Sequence, residues 1–153
     1  MIHEKLIYDI TGCLFDVYNQ LGNIWAESIY EQALQIALQE KGIHVVAQQN
    51  YEVLYKKGKV GLYRPDLLVE DKVIIELKAV ETLNSIHQAQ LISYLKGFEK
   101  PIGILANFTG RKLQRKIIPN KYHQMTVLKD VLDFDKVNIP SKNQLKYIFD
   151  TAV

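Results

Sequence analysis

Residues 63–80 read YRPDLLVEDKVIIELKAV, and the fold turns on them. Asp66-Leu67-Leu68-Val69 and Val73-Ile74-Ile75-Glu76-Leu77-Lys78-Ala79 are apolar runs, and the polar Glu70-Asp71-Lys72 between them predicts a β-hairpin. With those three residues as the loop, Val69 lies opposite Val73, Leu68 opposite Ile74, Leu67 opposite Ile75, and Asp66 opposite Glu76. Cross-strand neighbours have Cβ atoms about 4.5–5.5 Å apart, and like charges there repel. Low dielectric strengthens that repulsion. Alternation along the strand sends Glu76 and Lys78 to one face and Ile75 and Leu77 to the other. One ammonium does not offset two carboxylates, whereas a divalent cation held by oxygen ligands would complete the balance. On spacing alone, an ordinary edge hairpin accounts for the same residues, with Lys78 paired to Glu76 and Asp66 solvated. Charges that interrupt an apolar strand are costly unless they are used, and this weighs towards a site.

The remaining composition sets bounds. A chain of 153 residues, 48% hydrophobic and 24% charged, is the size and make-up of one globular domain over 1–153. No apolar run approaches the roughly 20 residues of a membrane span. The N-terminal MIHEKLIYDI carries acids among its apolar residues, unlike a signal peptide, so the expected location is cytoplasmic and away from membranes. The single cysteine, Cys13, excludes an internal disulfide and a thiolate-rich zinc site, and the four histidines lack metal-ligand spacing. A net charge of +2 neither demands nor excludes nucleic acid.

In chain order, residues 4–20 predict an amphipathic helix with Leu6, Ile10, Cys13, Leu14, Val17, Tyr18 and Leu21 on its apolar stripe and Gly22 as its stop. A second helix runs from about Ala26 to Glu40, with Ile29, Ala33, Ile36 and Ala37 facing inward together with Leu34 and Leu38. Glu27 sits in its first turn, where the helix dipole favours acids, and the three-residue step puts Tyr30 on the same face. Residues 44–46 form a short extended piece. Tyr51–Tyr55 and Val60–Tyr63 form a hairpin around Lys56-Lys57-Gly58-Lys59, with Gly58 expected at the positive φ. Lys57 and Lys59 at this tip, and Arg64 beyond it, are candidate phosphate contacts or simply solvated charges.

A third helix, about Ser85 to Lys96, places Ile86, Ala89, Leu91, Ile92 and Leu95 inward and stacks Gln90 below Tyr94. Residues 101–108 read as a strand buried on both faces. Residues 111–118 read as an edge strand whose Arg111, Lys112 and Arg115 deter sheet-to-sheet pairing or touch phosphates. Beyond Pro119, residues 127–134 suggest a turn or two of helix and 141–149 a better one. Its Leu145, Ile148 and Phe149 need a surface, either the domain itself or a second subunit in a homodimer.

Pro65-Asp66 followed by Glu76-Leu77-Lys78 resembles the PD-(D/E)xK nuclease signature. LGNIWAESIYEQAL at 21–34, the 63–81 stretch, HQAQLISYL at 87–95 and ILANF at 104–108 resemble the GxxExxY family of that superfamily. Ile24 stands where the family's naming glycine falls, while Glu27 and Tyr30 are in place. The resemblance implies a nuclease core over about 21–118 with a C-terminal extension at 119–153, and a restriction-endonuclease-like α/β fold. That fold is a mixed sheet of about four or five strands flanked by helices. It further implies Mg²⁺ or Mn²⁺ on Asp66, Glu76, the Leu77 carbonyl and Glu27, with Lys78 on the water or phosphate. Gln90 and Tyr94 look like the QxxxY element of RecB-like members and would support the site, while Tyr30 joins the candidate nucleic-acid contacts. The implied reaction is phosphodiester hydrolysis, with DNA favoured over RNA and no separate recognition domain in view. The alternative is an inactive nuclease-like module that binds nucleic acid or a protein partner.

Overall fold

The computed structural model describes residues 3–121. The expected helical stretches at 127–134 and 141–149 therefore lie outside the described residues. In chain order come helices α1 (Glu4–Leu21) and α2 (Glu27–Glu40), then strands β1 (Val45–Ala47), β2 (Tyr51–Tyr55), β3 (Gly58–Tyr63), β4 (Leu67–Val69) and β5 (Val73–Lys78). Helix α3 (Ser85–Phe98) and strands β6 (Ile102–Asn107) and β7 (Gln114–Pro119) follow. Five strands form one sheet in the order β1-β4-β5-β6-β7, and β2 and β3 pair separately. Only β5 and β6 run parallel, with α3 as their crossover, so the sheet is mixed as expected.

The central hairpin has the register its sequence dictates: Leu67 pairs with Ile75, Leu68 with Ile74 and Val69 with Val73. Glu70 and Asp71 take positive φ and the Lys72 amide closes on the Val69 carbonyl, so three residues suffice for the loop. Period-two alternation then sorts the sheet's faces. Leu67, Val69, Val73, Ile75 and Leu77 pack with α1 and α2, while Leu68, Ile74 and Leu105 pack with Leu91 and Leu95 of α3. Glu76 and Lys78 alternate onto the α3 side. Gly103 lets α3 approach closely, since a Cβ there would fall 2.9 Å from Leu91 side-chain carbons.

Three local expectations are corrected. Helix α2 is rotated: Tyr30, Leu34 and Leu38 are fully buried, whereas Ile29 is 44% and Ile36 58% exposed. Its apolar residues are broad enough to offer two stripes, and the four-residue row with an aromatic at its head takes the core. On α3, Leu91, Leu95 and Phe98 are buried while Ile86, Ala89 and Ile92 are exposed. At the outer hairpin, Tyr55 pairs with Gly58, so Lys56 and Lys57 form a two-residue loop and themselves take φ of 49° and 71°. Gly58 does not carry the positive φ; it lies where a Cβ would stand 3.3 Å from the Tyr55 carbonyl.

The rotation of α2 separates two leucine-sized residues two positions apart. Leu34→Ala removes a fully buried side chain and is expected to cost about 2–5 kcal/mol. Ile36→Ala, on the exposed side, is expected to stay within about 0.5 kcal/mol. Urea denaturation of the two variants checks this, and equal losses would restore the broader inward face.

Candidate active site

The β4–β5 ladder ends at Leu67 and Ile75, and just beyond it Asp66 replaces a ladder partner. Its Oδ2 accepts the Leu77 amide at 2.7 Å, which pins the carboxylate beside β5. Residues of one strand alternate the side to which their peptide groups point, so the Leu77 carbonyl turns to this same side. Continuing the register sets Asp66 level with Glu76. Glu76 receives a short hydrogen bond from the hydroxyl of Tyr63, the last residue of β3. The Tyr63 ring stacks on Tyr94 of α3 with centroids 3.7 Å apart and on Phe98 at 5.3 Å. The outer hairpin thus carries a phenol from outside the main sheet to the carboxylate.

Burial and proximity raise the proton affinity of this cluster. Burial and the Asp66 charge push the Glu76 carboxyl up to about 7, against the opposing pull of the Tyr63 hydroxyl and Lys78. Burial also raises Asp66, with Glu27 adding to it, while the Leu77 amide and Lys78 hold it down. The phenols of Tyr63 and Tyr94 are pushed up by burial and by the Glu76 charge. Among the described residues, no ion pair engages Asp66, Glu76 or Lys78.

Helix α2 adds acids at the end of β5. Glu27 Oε2 accepts the Ala79 amide at 3.2 Å, so this helix-start carboxylate also caps the strand. One turn later Glu31 is half-buried, and its carboxyl is raised by burial and then by the charges of Asp66 and Glu27. Glu31 was not among the sequence-predicted site residues, although its four-residue step from Glu27 places both on one helix face.

A buried amide fastens the chain that leaves the site. Asn107, level with Lys78 on β6, donates to the Val80 carbonyl and to Gln114 Oε1, and accepts the Val80 amide. Thr109 donates a second bond to the Val80 carbonyl. Asn107 looked like one more residue of an apolar strand, so its role was not legible in the sequence.

The other expected residues fall into different places. Tyr94 supports Tyr63, and Gln90 is half-buried one turn before it. Tyr30 is corrected from a nucleic-acid contact to a core residue. Its ring is fully buried on Phe108 with centroids 4.3 Å apart, and its hydroxyl donates to the Gly22 carbonyl at 2.6 Å. Arg64 is exposed with Nε on Asn50 Oδ1, and Lys59 pairs with Glu52 at 3.9 Å on the outer hairpin. Lys57, Arg111, Lys112 and Arg115 are exposed.

The expected metal set is only partly assembled. Among the described residues, no three histidine, cysteine or acidic side chains form a ready cluster for an ion. Glu27 is engaged with the Ala79 amide. Asp66, Glu76 and the Leu77 carbonyl are nevertheless hard oxygen donors at one strand end, and among the described residues no ion pair engages the two carboxyls. Such a donor set fits Mg²⁺ or Mn²⁺, which keep several water or substrate oxygens in their coordination shell.

Residues 4–118 match the PD-(D/E)XK nuclease superfamily. No curated protein matches the chain. Among solved structures it is similar to the crystal structure of SSO0001, at 18% identity and a TM-score of 0.45 over 72% of this chain. The chain spans 58% of that protein's length.

A carboxyl whose proton affinity rises on folding favours the folded state while protonated. Unfolded Glu loses its proton near 4.5 and folded Glu76 near about 7, so this group's contribution is full below 4.5 and is lost as pH rises through 7. In chelator, wild-type stability is therefore expected to fall between about pH 5 and 8, and Glu76→Gln to flatten that slope. Denaturant midpoints across this range check it.

Proposed function

The chain belongs to the PD-(D/E)XK nuclease superfamily, and from that premise we propose that it is a metal-dependent nuclease hydrolysing phosphodiester bonds of nucleic acid, DNA in preference to RNA. The observation that carries this reading is the meeting of Asp66, Glu76 and Lys78 at one end of the central hairpin, with the two carboxyls raised by burial and, among the described residues, no ion pair to engage them. The segment LGNIWAESIYEQAL, with Glu27 at the strand end and Tyr30 beneath it, supports the narrower placement in the GxxExxY family. The same reading takes residues 1–153 as one domain.

Asp66 and Glu76 would hold the cation, with the Leu77 carbonyl as a further oxygen donor. When bound, Mg²⁺ or Mn²⁺ supplies Lewis-acid polarisation of a phosphoryl oxygen and activates water. The protein's own groups prepare that state. The Leu77 amide fixes Asp66 in place, and the Tyr63 hydroxyl, locked by its stack on Tyr94, orients Glu76 and favours its ionised form. Lys78 leaves the strand on the same face as Glu76 as a compact charge on a flexible stem, suited to a phosphate oxygen as negative charge grows. In the net reaction a water oxygen bonds to phosphorus, the bond to one bridging sugar oxygen breaks, and that oxygen takes up a proton. Glu31 and Glu27 add negative potential, which draws cations to this end of the sheet.

Supercoiled plasmid and single-stranded circular DNA, each incubated with Mg²⁺, with Mn²⁺ and with chelator, test the reading. Metal-dependent nicking is expected, with Asp66→Asn and Lys78→Ala each lowering it about 10²–10³-fold. No cleavage by wild type, with Mg²⁺ binding seen by calorimetry, would favour a module that binds without cutting.

A further inference from the structure

Residues 22–26, which lead into α2, hold two large apolar side chains in solvent: Ile24 is 78% exposed and Trp25 44%. Scattered exposed apolar residues need no explanation. This loop differs because it is pinned along its length. The Gly22 amide bonds to the Tyr18 carbonyl, and the Gly22 carbonyl accepts the Tyr30 hydroxyl at 2.6 Å. That hydroxyl accepts the Trp25 amide in turn, and the indole N–H donates to the Leu21 carbonyl at 2.9 Å. The fully buried Tyr30, stacked on Phe108, is therefore the post on which Trp25 stands.

The loop's two ends meet different chemistry. On the α2 side, Glu27 bonds the Ala79 amide, next to Lys78 and the carboxylate pair. On the other, Asn23 Nδ2 donates to the Gly110 carbonyl at 3.2 Å, and the exposed Arg111 and Lys112 follow directly. The loop that carries the fixed indole is thus tied at one end beside the acidic site and at the other beside a basic segment. Phosphates suit the basic segment, and an aromatic face beside them suits a base. A base inside a duplex has both faces covered by its neighbours, so the interior of a duplex offers the ring nothing, whereas an unpaired base offers it a face.

We propose that Trp25 is a stacking platform for an unpaired base of the nucleic-acid substrate, with Arg111 and Lys112 on neighbouring phosphates, an assignment that rests on the nuclease reading above. The substrate class is then a single strand, or a duplex with a frayed or branched end. Trp25 acts as a positioning residue, and the indole N–H, already bonded to Leu21, leaves only the ring faces for the ligand.

Trp25 is the chain's single tryptophan, so its emission reports this site alone. Oligo-dT, a blunt duplex and an abasic oligomer of equal phosphate number are titrated into full-length protein in chelator, with binding followed by emission and, through a labelled strand, by anisotropy. Oligo-dT is expected to bind and quench Trp25, and the abasic oligomer to bind more weakly without quenching. Trp25→Ala is expected to weaken oligo-dT binding about 5- to 150-fold, with Trp25→Phe recovering most of it because the ring remains. Oligo-dT binding without quenching, or undiminished in Trp25→Ala, overturns the platform and leaves the nuclease reading standing. Absence of binding by any oligomer overturns the platform, and the nuclease reading falls with it only where metal-dependent nicking is absent as well. Emission that shifts with protein concentration alone, matched by dimer formation in sedimentation, overturns the platform by showing that a second copy covers the ring.

Discussion

Two carboxylates are forced together where water is scarce, and much of this fold arranges itself around that fact. The three-residue loop of the β4–β5 hairpin sets Asp66 level with Glu76, and the apolar strands around them leave little solvent to screen the repulsion. The protein answers with hydrogen-bond donors more than with counter-charge: the Leu77 amide on Asp66 and the Tyr63 hydroxyl on Glu76. Hydrogen bonds to an ionised acceptor are worth more than neutral ones, yet they do not neutralise it. On the nuclease reading proposed above, the charge that remains is what a cation would offset.

Each layer of the molecule supplies one part of that answer. The outer hairpin contributes Tyr63, α3 contributes the Tyr94 ring that fixes it, and α2 brings Glu27 to the end of β5. Gly103 allows α3 to lie close against the sheet that it must reach. The Asn107 side chain holds the Val80 peptide from both ends, so the chain beyond Lys78 leaves the site along a fixed path. Tyr30 serves the core with its ring and the α2 approach loop with its hydroxyl, which explains why a residue so deep lies next to functional groups.

The hairpin was legible because period-two alternation and a polar loop leave one register, and that register alone aligns Asp66, Glu76 and Lys78. The double-sided burial of β6 followed from an equally simple pattern, a continuous apolar run, whereas the mixed sheet was implied by the family resemblance. Helix α2 was misread because Ile29 and Ile36 are as hydrophobic as Leu34 and Leu38, and composition does not say which stripe meets a sheet. The Tyr63–Glu76 bond was beyond reach, since it joins two sheets whose relative placement no local pattern specifies. Glu31 was within reach by helical spacing from Glu27, but only once Asp66 was known to lie nearby.

The most direct measurement is the titration of the Glu76 carboxyl carbon by NMR, in chelator and in Mg²⁺, with Asp66→Asn as the companion sample. A midpoint of about 7 is expected in chelator. Mg²⁺ should move that midpoint well down, and Asp66→Asn should lower it without the ion, because the neighbouring charge is gone. A Glu76 that titrates in the ordinary carboxylate range, or whose midpoint Mg²⁺ leaves unchanged, would contradict the claim that this pair is built to take a cation.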